Sequence, residues 1–225
     1  MSYRSGRFLA VLLACCLGAG AQAEVTAAQQ PDASAIPTDW SGMRFEFALA
    51  TPRGGNFWRE GSSDLELVPG DWRNVAPVFS IGRDWQTGML TFGAHLSFAP
   101  RPHLAFPQDA EFINCADCAT QVSDVLTLTA RLGLAAGKTL LFADAGRARG
   151  SVVATNLFGL LTYADTSLSG WTIGVGAERQ IGDGVSLSVR YDHIDLGTLP
   201  LPDYLPTGSS KIELDRMQVG MTLRW

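Results

Sequence analysis

Residues 89–99 read MLTFGAHLSFA, and every second residue is apolar. Leu90, Phe92, Ala94, Leu96 and Phe98 take one phase, while Thr91, Gly93, His95 and Ser97 take the other. A period of two places the two sets on opposite faces of a β-strand, a separation that a helix with its period of 3.6 cannot make. The same period runs through residues 40–50, 75–84, 125–135, 171–180 and 185–197, less regularly through 140–148, and again through 217–225, which reads MQVGMTLRW. Eight strands of this kind commit the chain to an all-β fold.

The connectors carry a second pattern. Tight turns, WQTG, AGKT and IGDG, follow the second, fourth and sixth strands. Long stretches at 51–74, 100–124, 149–170 and 198–215 follow the first, third, fifth and seventh. Each strand is about 9–11 residues, the length a tilted strand needs to cross a bilayer. Strict alternation of short and long connectors predicts an eight-stranded antiparallel up-and-down transmembrane β-barrel, with short periplasmic turns and four long extracellular loops.

Alternation alone leaves open which face meets lipid, because a soluble barrel that holds a hydrophobic ligand alternates too. Three features favour apolar-out. Gly, Ser and Thr recur on the polar face beside long charged groups, which suits the packed interior of an eight-stranded barrel better than a solvated surface. Trp40, Trp85, Trp171 and Trp225 stand near strand ends, where aromatic girdles form. A spanning sheet must also pair all its backbone groups, so the last strand has to meet the first. This register turns Arg44, Glu46, His95, Arg131, Asp144, Glu178, Arg190 and Asp192 into the lumen, with Arg216 and Arg224. Buried charges need partners, so these read as a self-neutralising network that fills the lumen rather than a path for ions.

Residues 1–23 hold Arg4 and Arg7, an apolar run and small residues at Ala21 and Ala23. They read as a secretory signal cut between Ala23 and Glu24. Residues 24–39 are small and polar, a periplasmic lead-in to a barrel at 40–225. After the signal no run approaches a membrane-spanning helix. The net charge of −5 argues against nucleic acid as a partner. Cys115 and Cys118, in the second long connector, are the only cysteines beyond the signal. In an oxidising compartment they read as a local disulfide; two ligands make only half a zinc site.

The segments WSGMRF, SIGRDWQTGMLTFGAHLSF, ARLGLA, SGWTIGVGAERQIGDGVSLSVRYDHIDLG and VGMTLRW resemble the porin-like outer-membrane β-barrel family of small immunogenic surface proteins. The resemblance extends from Trp40 to Trp225. It implies a cell-envelope protein of Gram-negative type whose neighbours are outer-membrane lipid, lipopolysaccharide and the barrel-assembly machinery. It also implies that the last strand, with Val219, Met221, Leu223 and Trp225, is the assembly signal, ending here in Trp rather than Phe. Arg190 stands where the family usually has an acidic residue.

One arrangement hints at catalysis. His95 and Ser97 match the His-x-Ser pair of barrels that remove acyl chains from lipid A, since Ser needs a base to become nucleophilic. Both face inward on this register, away from acyl chains, so the expectation is a protein without enzymatic activity or cofactor. Its role would be structural and interactive, with the loops carrying any extracellular contacts. A narrow porin is the alternative.

Overall fold

A computed structural model of the protein describes residues 38–53, 55–59, 66–106, 119–156, 161–201 and 209–225. The signal segment with its Ala23–Glu24 junction, most of the lead-in, and the Cys115 and Cys118 pair lie outside the described residues. The strands are β1 (Gly42–Arg53), β2 (Gly55–Arg59), β3 (Glu66–Arg73), β4 (Ala76–Thr87), β5 (Leu90–Ala99), β6 (His103–Phe106), β7 (Ala119–Ala136), β8 (Thr139–Asn156), β9 (Leu161–Gly182), β10 (Val185–Pro200) and β11 (Ser209–Arg224). Among the described residues no helix is long and apolar enough to cross a membrane.

Eight of these strands close a ring. Antiparallel pairing runs β1–β4–β5–β7–β8–β9–β10–β11 and returns to β1. The closing pair is Met43 with Trp225, each donating its backbone N–H to the other's carbonyl at 2.9 and 3.0 Å. With no free edge, every ring strand has partners on both sides, as lipid requires. Phe45, Phe92, Leu96, Leu128, Ile173, Val189 and Met221 point out and are exposed, while Arg44, Ser97, Arg131, Glu178 and Thr222 point in and are buried.

The long connectors contain more strand than their sequence suggests. β7 to β11 continue beyond the ends of β1, β4 and β5. There, β2, β3 and β6 take over the pairing, giving β11–β2–β3–β6–β7. A second ring of eight thus stands on the first. Residues 51–74 and 100–124 supply its added strands, which corrects the expectation of loops there. The apolar stretch after Gly150 extends β8 and β9, as its composition suggests.

Where the second ring begins, the two faces exchange chemistry. On β10, Ser188, Arg190 and Asp192 point inward, but Ile194 and Leu196 follow them in the same phase. On β11 the inward set passes from Arg216 to Leu214 and Ile212, while Lys211, Glu213 and Asp215 turn outward. Ala148, Val152, Ala154, Leu199 and Leu201 join these in one apolar core. A surface facing water needs its apolar side inward; a surface facing lipid needs the opposite. The exchange therefore marks the outer boundary of the membrane. A bulge tunes it: Gly197 adopts φ of 85°, a conformation suited to glycine, and donates its N–H to Asp195 Oδ1 at 2.7 Å. The extra residue lets Leu196 and Leu199 both face inward.

His103 on β6 is buried in this upper region, and neither ring nitrogen has a hydrogen-bond partner among the described residues. Burial, helped by the nearby Arg216 guanidinium, pushes its pKa down to about 4. The unfolded chain then takes up a proton near pH 6.5 that the fold refuses, so stability is complete above that pH and is lost as pH falls towards 4. Going from pH 7.5 to 4.5 should cost about 2–3 kcal/mol through this residue. His103→Leu should remove that component and change little at pH 7.5. Urea titrations of vesicle-inserted protein at the two pH values measure it; equal acid sensitivity of both proteins would show that His103 is solvated.

Candidate functional site

The lower, membrane-level half of the lumen is where the charged residues converge. Each strand contributes side chains of one phase, so residues remote in sequence meet across the interior. Arg44 on β1 reaches Glu46 at 2.9 Å and Glu178 at 3.4 Å, and donates to Thr222 Oγ1 at 3.0 Å. Arg131 on β7 donates Nε–H to Asp144 on β8 at 2.9 Å, lies 3.8 Å from Glu178, and stacks over the Phe142 ring. Arg190 spans Asp144, at 3.3 Å, and Asp192. Arg216 lies 3.4 Å from Asp192, which also accepts from Gln218. Arg224 reaches Asp84 at 2.9 Å and Glu178 at 3.2 Å.

Among the described residues the inward charges balance. Arg44, Arg131, Arg190, Arg216 and Arg224 face Glu46, Asp84, Asp144, Glu178 and Asp192. Hydroxyls add further donors: Ser186 donates to Glu178, and Ser188 to Glu46. At low effective dielectric such pairs are strong, and each carboxylate here has its compensating cation. Glycine makes room on the neighbouring strands. A Cβ on Gly174 would lie 2.4 Å from Asp192 Oδ1, and one on Gly93 would lie 2.1 Å from Asp84 Oδ1.

Of the ten lumen residues named from the sequence nine are buried here and Arg224 is half-buried, and Glu178 binds to three arginines at once. Asp84 was missed. It stands in the inward phase of residues 75–84, opposite the exposed Phe79 and Ile81, so the alternation of that strand was the signal that could have found it; it pairs with Gly93 on β5. His95 Nε2–H donates to Asp84 at 2.7 Å, while Ser97 accepts from Ser80 at 2.9 Å. The His95 and Ser97 side chains therefore serve different partners and do not form a base–nucleophile pair. No group of three His, Cys, Asp or Glu residues suited to a metal occurs among the described residues.

Trp40 also departs from expectation. It is buried, where the aromatic pattern placed it in a membrane girdle. Its N–H donates to Gln86 Oε1 at 2.7 Å, its carbonyl accepts from Arg224, and its ring packs with Ala135, Leu140 and Phe142. The indole thus stoppers the end of the lumen beside the short turns. Trp85, Trp171 and Trp225 remain exposed on the outer face.

No family model matches the chain. Over 113 residues it is 32% identical to the 31 kDa outer-membrane immunogenic proteins of Brucella melitensis and Brucella suis, a match taking in 47% of this chain and 47% of each relative. The chain thus spans about half the length of the curated relatives it matches, and it is their distant homologue. Among solved structures it is similar to the outer membrane protein OprG of Pseudomonas aeruginosa, with a TM-score of 0.53 and 10% identity over 84% of this chain and 98% of that one. Neisserial surface protein A gives a TM-score of 0.50 and 13% identity over 82% of this chain and 98% of that one. These likenesses establish the eight-stranded fold, and with the homology they place the protein in the outer membrane.

Proposed function

We propose that this small outer-membrane barrel is a sealed envelope protein whose role is structural and surface-presenting. One observation carries the reading: among the described residues, side chains occupy the lumen at each level. Five guanidinium–carboxylate sets occupy the membrane zone, aliphatic side chains occupy the zone above, and Trp40 closes the end below. An eight-stranded barrel has an interior that side chains can fill, and these do. In this reading the last strand, with exposed Val219, Met221, Leu223 and Trp225, is what the barrel-assembly machinery engages. The extracellular connectors contact surface ligands, and a Cys115–Cys118 bridge steadies one of them.

Planar-bilayer recording tests the seal. The purified protein should give no steady nanosiemens-scale conductance in neutral-pH salt. Stable openings of that size would instead make it a narrow porin and refute the filled lumen. The same preparation, incubated with lipopolysaccharide, should release no fatty acid; release abolished by Ser97→Ala would reinstate the lipid A-modifying enzyme.

A further inference from the structure

On the outer face of the barrel, at the level where the faces exchange, Arg147 and Arg149 project from β8 and are exposed. Being two apart on a strand, they point the same way, about 7 Å from each other. Leu128 and Leu126 of β7 sit opposite them on one side, Trp171 and Ser169 of β9 on the other, and the two arginines line a shallow groove with Leu126, Leu128 and Ser169. Neither guanidinium has an ion-pair or hydrogen-bond partner among the described residues.

Two adjacent, unpaired cations on a lipid-facing sheet are costly at the membrane midplane and cheap only near its edge. Thr139 to Arg149 is about one membrane thickness of tilted strand, counted from the short turn, so the pair stands at the far interface. Long connectors and the second ring lie on that side, which makes it the outer leaflet. Below the arginines the wall turns apolar, through Leu128 and Leu132 of β7 and Ile173 of β9. Trp171 stands at the level of lipid headgroups.

We propose that this groove binds a phosphorylated glycolipid of the outer leaflet. A phosphate bridges Arg147 and Arg149, each donating in the planar fork that phosphate oxygens accept, and relieves their mutual repulsion. An acyl chain of the same molecule descends over Leu128 and Leu132.

Native mass spectrometry of the folded protein in detergent micelles, titrated with bisphosphoryl lipid A, tests this. Wild-type protein should retain one lipid, retention should fall in high salt, and Arg147→Gln/Arg149→Gln should retain at least tenfold less. A heat-dependent gel shift in the double variant verifies its fold. Wild-type protein offered dephosphorylated lipid A should show the same loss, a comparison that depends on no variant. Equal retention by the double variant, equal retention of the dephosphorylated lipid, or phosphatidylglycerol held as well as lipid A would each overturn the proposal.

Discussion

Glu178→Gln should destabilise the barrel by about 3–5 kcal/mol, the cost of breaking a buried ion cluster from one side. Glu178 is fully buried, lies within 3.4 Å of Arg44 and 3.2 Å of Arg224, and is 3.8 Å from Arg131. The amide matches the carboxylate in shape but lacks its charge, so three guanidinium groups lose a shared counter-ion without any change in volume. Adding Arg131→Met to E178Q should recover part of the loss, because one uncompensated cation leaves with the side chain. Asp183→Asn, at an exposed turn, should stay within about 0.5 kcal/mol. Urea unfolding of vesicle-inserted protein, read by heat-dependent gel mobility, supplies the numbers. A Glu178→Gln loss under about 1 kcal/mol would mean that water and salt reach the cluster, and the lumen would then be a hydrated passage rather than a filled one.

Leu96→Arg should cost about 2–4 kcal/mol, for the opposite reason. Leu96 is exposed, between Ile81 on β4 and Leu128 on β7, in the middle of the apolar band. An arginine there places a charge in hydrocarbon with no partner in reach. Thr51→Arg, on the same outer face but near the exchange level beside Met217, should cost roughly 0–1 kcal/mol, since its head reaches the interface. A depth-dependent penalty is the mark of a bilayer. In a barrel bathed by water both changes would be nearly neutral, and similar small values at the two sites would remove the lipid-facing assignment.

The membrane ring was readable in the sequence because lipid imposes one rule on every strand. Alternation in residues 89–99 and 125–135, and the short turns between paired strands, already specify ring order, register phase and inward residues. Glu178 was placed in the lumen from phase alone, although its joint contact with Arg44, Arg131 and Arg224 depends on barrel curvature that no single strand encodes. The second ring was harder to see because its rule is reversed. Ile194, Leu196, Ile212 and Leu214 continue the inward phase with apolar side chains, so the polar-in, apolar-out rule ends at Asp192 and Arg216. The bulges between Ser123 and Leu126 and between Asp195 and Gly197 shift the phase again. Trp40 precedes β1 but shares the inward phase of Arg44 and Glu46, and its burial is completed by Gln86 and Arg224 from remote strands. The signal that was available is the reversal itself: a strand whose polar and apolar phases swap has crossed from lipid into water.

Spin labels at neighbouring positions of β5 test the face assignment most directly. In a chain whose cysteines are replaced by serine, single labels at Leu90, Phe92, Leu96 and Phe98, and at Ser97, are read in vesicles by collision with oxygen and with a water-soluble nickel complex. The outward sites should collide with oxygen, which partitions into acyl chains, and be shielded from nickel; Ser97 should be shielded from both. Nickel access at Phe92 and Leu96, or at Ser97, would contradict an apolar wall in lipid around an enclosed, charge-filled interior.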